Sequence, residues 1–481
     1  MSIVTEYLTH IPEIALVLGG CVVLLMGAFA STQSQLSFWT TLVILFLALY
    51  VSLKPLDGNV YHYFNGFYVI DDLAVLTKSI MCMLMIVVLF YSKSYIDEHH
   101  LPKGEYYSLA IFSLTGMLLI ASSTHLLMIY LGLELLSLSL YALVAMQRDD
   151  SLSSEAAIKY FILGAIASGF LLYGISLLYG LTGTLYLIGL VDYATLNAGA
   201  EMHAGIGMIV AIIFIVIGLA FKLGAVPFHM WLPDVYQGAP LPVTTLIASV
   251  PKVAGVMLAI RLLFDGVQFM HGYWQQSLMF LAVLSLLVGN IIAIAQSNIR
   301  RMLAYSTIGH VGYILMGLLV GDISGYSAAV FYTIIYALMS SAVFGMLLVT
   351  ARVNLTIEDL SDLKGLSQSY PWLAFLMLLL MFSMAGIPLT VGFYAKLNIL
   401  QVVIGEGLIS LAVIGVVASV IGAYYYLRVV KLMYFDEDEE GKIIASLPTA
   451  NVAVLSIHSL LVIALFISPQ FLMALCLQAM S

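Results

Sequence analysis

Charge is what this 481-residue chain has least of: 9% of its residues are Asp, Glu, Lys or Arg, against 62% hydrophobic. A soluble domain carries roughly 25% charged residues, so a water-soluble globular protein is excluded. Cysteine is scarce as well. Cys21, Cys82 and Cys476 lie singly in apolar runs, without a CxxC pair or metal-ligand spacing. That excludes a disulfide framework and argues against a zinc or iron–sulfur site. Basic residues are outnumbered 17 to 26, for a net charge of -9, whereas a nucleic-acid binder would show a basic face. There is no GxxxxGK[ST] and no GxGxxG after a strand, so no nucleotide site can be read. The first twenty residues hold Glu6 and Glu13 but no Lys or Arg, and so lack the basic start of a cleaved signal.

What is present is a series of long apolar runs, and a bilayer crossing needs about 20 such residues. Helices are expected near 12–30, 37–53, 73–92, 106–122, 126–146, 158–180, 205–230, 242–264, 276–297, 303–320, 326–350, 372–400, 408–432 and 451–478. The predicted fold is therefore an all-α polytopic membrane protein of about fourteen crossings, with no soluble domain attached. An even count puts both termini on one side. With the termini outside, the cytoplasmic loops hold Lys93, Lys103, Arg148, Lys159, Arg300, Arg301, Arg352, Lys364, Arg428, Lys431 and Lys442. The outer side then has only Lys54 and Arg261, with Lys78 near the start of the third crossing. The positive-inside rule favours that orientation. The acidic run from Asp436 to Glu440 reads as a solvated stretch.

Four charges sit where charge is costly. Glu134, Lys222, Lys252 and Lys396 lie within apolar runs, at a cost of at least ~2.5–3.5 kcal/mol for a charge at the bilayer centre. Snorkelling would account for Lys222 if its helix ended at Pro227, and a structural ion pair with a lysine would account for Glu134. The apolar stretch nevertheless continues past Pro227 through Trp231, which suggests a broken helix rather than a helix end. Lys252 is too deep to snorkel easily, and Pro251 before it predicts a kink. Lys396 follows a second break at Gly386-Ile387-Pro388. His229 and His310 lie in or beside apolar helices, as satisfied core histidines or as relay members. The Met- and Tyr-rich faces read as ordinary packing.

The two broken segments resemble each other, and Pro227 and Pro388 are 161 residues apart, or five crossings. A unit with an odd number of crossings places its next copy upside down, the inverted-repeat plan of transporters. The expected units are crossings 4–8 (105–265) and 9–13 (276–435), the seventh and twelfth crossings being the broken ones. Crossings 1–3 (1–104) and the last (450–481) are additions.

With these residues named, a family resemblance follows. GLAFKLGAVPFHMWLPDVYQGAPLPVTT (218–245), LGLELLSLSLYALVA (131–145), RRMLAYSTIGHVGYILMG (300–317) and FSMAGIPLTVGFYAKL (382–397) resemble, in order and spacing, the proton-translocating antiporter-like membrane subunits. Within that family the likeness is to the respiratory complex I branch. The run 233–240 lacks the His-Thr-Glu version usual in other members. Lys396 stands where one complex I relative has a glutamate, and the chain stops without the long lateral helix of another. The resemblance implies proton pumping driven by electron transfer from NADH to quinone. The NADH, FMN, iron–sulfur clusters and quinone would all be held by partner subunits and none by this chain. It also implies a bacterial inner-membrane location with both termini on the periplasmic side. The relay would run from Glu134 and Lys222 through Lys252 to Lys396, with His229 or His310 and waters filling gaps. If Glu134 pairs with Lys222, separating the two releases the proton. A sodium/proton antiporter subunit and a non-transporting scaffold with mutually paired charges are the alternatives.

Overall fold

A backbone in lipid must pair its own N–H and C=O groups, so the apolar runs fold as helices. The computed structural model describes residues 11–29, 34–53, 56, 58–196, 205–351, 357–437 and 449–481. The helices are α1 (Pro12–Phe29), α2 (Ser34–Ser52), α3 (Asp72–Glu98), α4 (Lys103–Ser122), α5 (Leu126–Val144), α6 (Ser151–Thr182), α7 (Ile206–Leu223), α8 (Trp231–Gly238) and α9 (Leu241–Ile260). They continue as α10 (His271–Ile294), α11 (Ile299–Leu318), α12 (Ile323–Thr350), α13 (Pro371–Ala385), α14 (Val391–Gly405), α15 (Ile409–Tyr434), α16 (Thr449–Ile467) and α17 (Pro469–Met480). Among the described residues, twelve helices are long and apolar enough to cross a membrane. The other two expected crossings are α11, made more polar by Arg300, Arg301 and His310, and the pair α13–α14, each half too short alone.

Several starts are set by side-chain caps. Asp71, Asp150, Asn298 and Asp322 accept from the first-turn N–H groups of α3, α6, α11 and α12, supplying acceptors those orphan donors otherwise lack. Buried hydroxyls such as those of Thr77, Ser92, Ser249 and Thr333 donate to the carbonyl four residues back, which satisfies them without a partner helix. Helices α9 and α12 pack against each other and are buried along nearly their whole length. They form the centre, and α16 lies at the edge.

The structure departs from the sequence reading in four places. Residues 61–63 and 68–70 form an antiparallel hairpin, β1–β2, in a chain expected to be all helix. A short helix, Leu187–Leu196, lies after α6. The last expected helix, 451–478, breaks at Ser468, because Pro469 has no N–H to continue the ladder and disfavours helical geometry in the residue before it. Finally, Lys78 and Arg261 do not face outer water. Lys78 is buried and bonds Glu13 at 2.6 Å and the Tyr68 hydroxyl at 2.6 Å. Arg261 is buried between Asp71 and Asp265, each at 2.8 Å, and also donates to the Ala121 carbonyl. Lys54, Arg352 and Lys442 lie outside the described residues.

Candidate functional site

The site is built on the two breaks. Helix α7 ends at Gly224, with φ +85°, and α13 ends at Gly386, with φ +81°, a left-handed conformation that glycine adopts without steric cost. The closing hydrogen bonds match. The Gly224 N–H donates to the Ala220 and Phe221 carbonyls and the Ala225 N–H to Ala220, while the Gly386 N–H donates to Phe382 and Ser383 and the Ile387 N–H to Phe382. Each break leaves terminal carbonyls without a helical partner, at the negative end of a helix dipole.

A lysine answers each end. The Lys252 ammonium, on α9, donates to the Leu223 carbonyl at 3.0 Å. The Lys396 ammonium, on α14, donates to the Ala385 carbonyl at 2.9 Å and to the Ser419 hydroxyl at 3.1 Å. Both carbonyls belong to the residue just before the left-handed glycine. Aromatic faces complete the surroundings, Trp231 for Lys252 and Tyr313 for Lys396, at 5.7 and 5.2 Å to the ring centroids. At 2% and 8% exposure the two lysines are cut off from bulk water. A Cβ at residue 386 would sit 2.9 Å from Lys396 Cδ. Gly386→Ala should therefore cost about 1–2 kcal/mol for the left-handed backbone and displace the ammonium. Lower thermal stability together with reduced ion movement in the purified protein checks this, and an unchanged pair of readings would contradict it.

Lys222 is different. Its ammonium donates to the Ser137 hydroxyl at 2.6 Å rather than to Glu134, and among the described residues no ion pair joins the two. Glu134 keeps one oxygen buried without a hydrogen-bond partner. It lies on the face of α5 that also exposes Leu127, Leu131 and Leu138. Lys222 and Lys252 line one small cavity of about 20 Å³, together with Ser137, Tyr160, Trp231 and Pro251. His229 falls in the first break, its Nδ1 unpartnered and its ring 6.4 Å from that of Tyr305.

His310 belongs to the second cluster and is fully engaged. Its Nδ1 meets the Tyr332 hydroxyl at 2.7 Å and its Nε2 the Tyr426 hydroxyl at 2.9 Å. The rings of Tyr332 and Tyr313 stack, and Tyr313 is the ring beneath Lys396. Here the sequence reading of the tyrosine-rich faces as mere packing fails. Tyr332 and Tyr426 are spaced along apolar helices like any core aromatic, and only the assembled bundle turns their hydroxyls onto one imidazole.

At the end of the bundle carrying Arg300 and Arg301, the run 233–240 also acquires a structural meaning. Asp234 accepts from Lys159 and Arg301, both at 2.8 Å, and Arg301 also donates to Gln237 at 3.0 Å. This ties α8 to α6 and α11. Beside it opens a polar cavity of about 220 Å³ lined by Asp150, Gln237, Arg300 and Glu358.

Two interrupted helices, each ended by a buried lysine within a many-helix apolar bundle, define a multi-pass membrane protein of the discontinuous-helix class. The chain belongs to the NADH:quinone oxidoreductase/Mrp antiporter transmembrane family, whose model matches residues 123–422. It is 48% identical over 479 residues to NADH-quinone oxidoreductase subunit N of Thioalkalivibrio sulfidiphilus, with 99% of each chain covered. It is 48% identical over 469 residues to the subunit of the same name from Nitrosomonas europaea, covering 97% of this chain and 96% of that one. Among solved structures, a chain of respiratory complex I from Thermus thermophilus matches with a TM-score of 0.81 at 30% identity, over 96% of this chain and 99% of that one.

Proposed function

We propose that this chain is the counterpart of subunit N in a bacterial NADH-quinone oxidoreductase, carrying protons across the inner membrane while its partners carry electrons from NADH to quinone. The observation that supports this reading best is the paired placement of Lys252 and Lys396. Each is a buried ammonium on the free carbonyl end of a broken helix, and among the described residues no carboxylate holds it. A lysine whose charge is balanced only by carbonyl dipoles can lose and regain a proton without breaking an ion pair, because the neutral amine remains compatible with its surroundings.

In this reading the proton moves from Lys222 across the shared cavity to Lys252, and then to Lys396 by way of His310 and water. Glu134 acts on Lys222 from the face of α5. That face is open in the single chain, where a neighbouring subunit can deliver the driving signal. His229, at the first break, is a lesser relay member. The polar cavity beside Arg300 offers water access on the side read as cytoplasmic, with both termini on the periplasmic side. Crossings 4–8 and 9–13 form two inverted units, and the flavin, iron–sulfur and quinone sites belong to partner subunits.

The test is to tag the chain, extract it from native membranes in mild detergent, and assay NADH:quinone reductase activity. Activity with a large flavin- and iron–sulfur-bearing set of partners is the expected result. Recovery with only small membrane partners and no NADH oxidation would overturn the reading.

A further inference from the structure

Ser137 is the residue that holds Lys222 in this structure. It is 2% exposed and follows Glu134 by three residues on α5, which places it nearly one turn along the helix and about 60° around it. Glu134 shares its face with the exposed Leu131 and Leu138. Ser137 instead lines the cavity between Lys222 and Lys252. Its hydroxyl has one hydrogen, donated to the Leu133 carbonyl at 2.5 Å. A carbonyl only accepts, so the Ser137 oxygen is left as an acceptor, and it takes a hydrogen from the Lys222 ammonium at 2.6 Å. The direction of both bonds is thereby fixed.

Helix α5 thus offers one lysine two acceptors of different kinds. Residues three apart on a helix have Cβ atoms about 5–6 Å apart, a distance that the flexible four-carbon stem of a lysine spans. The Glu134 carboxylate would balance the ammonium charge to charge, and one of its oxygens is buried without a hydrogen-bond partner. The Ser137 hydroxyl, which the ammonium occupies, is neutral. Around that position lie the rings of Tyr141 and Phe221, at 5.9 and 5.8 Å from the ammonium to the ring centroids. The cavity that Ser137 lines measures about 20 Å³, room for one water molecule. Lys252 borders the same space, and Glu134 does not line it.

We propose that Ser137 is a positioning residue: it is a second, uncharged seat for Lys222, which holds the ammonium off Glu134 and at the cavity, where its proton passes to Lys252 through one water. The proposal rests on the relay reading above and deepens it. When Lys252 is a neutral amine, the Lys222 ammonium gives one proton to the cavity water, and that water passes one of its own hydrogens to the Lys252 nitrogen. One positive charge has moved from lysine to lysine, and the water is restored. The Lys222 amine still has an N–H to donate to Ser137, so it keeps its place until the next proton arrives. Ser137 itself carries nothing, because its hydrogen stays on the Leu133 carbonyl. Seated on Glu134, the same lysine is paired with an opposite charge and away from the cavity, and the proton stays where it is.

The test uses the whole assembled complex in vesicles, with proton translocation and the infrared band of the Glu134 carboxylate both followed, the band being identified by its loss in Glu134→Gln. Ser137→Ala removes the second seat and little else. It should lower translocation about tenfold, a factor equivalent to ~1.4 kcal/mol and near the lower bound for a hydrogen bond to a charged group. It should also move the Glu134 band to the position of an ion-paired carboxylate, because Lys222 then rests on Glu134. Ser137→Thr keeps the hydroxyl and should retain both the wild-type band and translocation. Three results would overturn the proposal: full translocation by Ser137→Ala where Lys222→Ala pumps nothing, lost translocation with the Glu134 band unmoved, or a threonine variant as impaired as the alanine one. Full translocation by Lys222→Ala would instead overturn the relay reading on which the proposal rests.

Discussion

Lys396→Ala should lower coupled proton translocation by about 10²-fold, the scale on which losing a positioned proton-transfer group is felt, and Lys396→Arg should do nearly as much damage. The arginine comparison separates two roles for the same cation. As a static cap, the ammonium need only donate to the Ala385 carbonyl and the Ser419 hydroxyl. A guanidinium can do that too. As a relay it must give up its proton, which arginine does not do in proteins. The assay is a reconstituted complex in vesicles, with NADH oxidation and a pH-sensitive dye followed together. Wild-type pumping by Lys396→Arg would remove Lys396 from the relay. Lys222→Ala and Glu134→Ala should also depress pumping strongly. Glu134→Asp keeps the charge with a shorter reach and should do less harm. Full pumping in both alanine variants would overturn the scheme.

Lys78→Met should destabilise the amino-terminal helices by about 3–5 kcal/mol, the penalty for leaving one partner of a buried ion pair alone. Lys78 and Glu13 are each 4% exposed and 2.6 Å apart, and Tyr68 donates to the second Glu13 oxygen at 2.8 Å. One triad thus joins α1, the β-hairpin and α3. Removing the lysine strands a carboxylate away from water. Replacing both charges, as Glu13→Gln with Lys78→Met, leaves a neutral amide that still accepts from Tyr68 and should recover most of the loss. Retention of the subunit during heating of the purified complex measures both. A double variant as unstable as the single one would mean that packing, not the stranded charge, sets the cost.

The same pair shows where reading the chain alone falls short. Sixty-five residues separate Glu13 from Lys78, and each lies near a helix start, where a charge normally reaches water. Both therefore read as boundary residues, and Arg261, closed in by Asp71 from 190 residues away, reads the same way. The charges at mid-run were legible, because a lysine well inside a long, mostly apolar run has no bulk water within reach. Glu134 and Lys222 were legible as unusual residues and as a possible pair, but the hydrogen-bond partner that Lys222 takes was not. The ammonium turns to Ser137, one turn along α5 from the carboxylate. A serine in a helix carries no signal, since its usual partner is its own backbone.

Composition and spacing by themselves determined that this chain crosses a bilayer many times, where its crossings lie, that two of them break, and which four charges are out of place. These are local properties: hydrophobic length, the missing N–H of proline, the left-handed tolerance of glycine and the cost of a buried charge each act within a few residues. The tertiary structure alone decided that the two lysines cap equivalent broken ends. It also decided that His310 is held by Tyr332 and Tyr426. Those facts depend on which helix faces join. Helix faces in lipid are chosen by close packing of small residues and by satisfied polar groups, not by a hydrophobic pattern along the chain. Most faces here are apolar, so the sequence marks the helices, while the partners of each face appear only once the bundle is assembled.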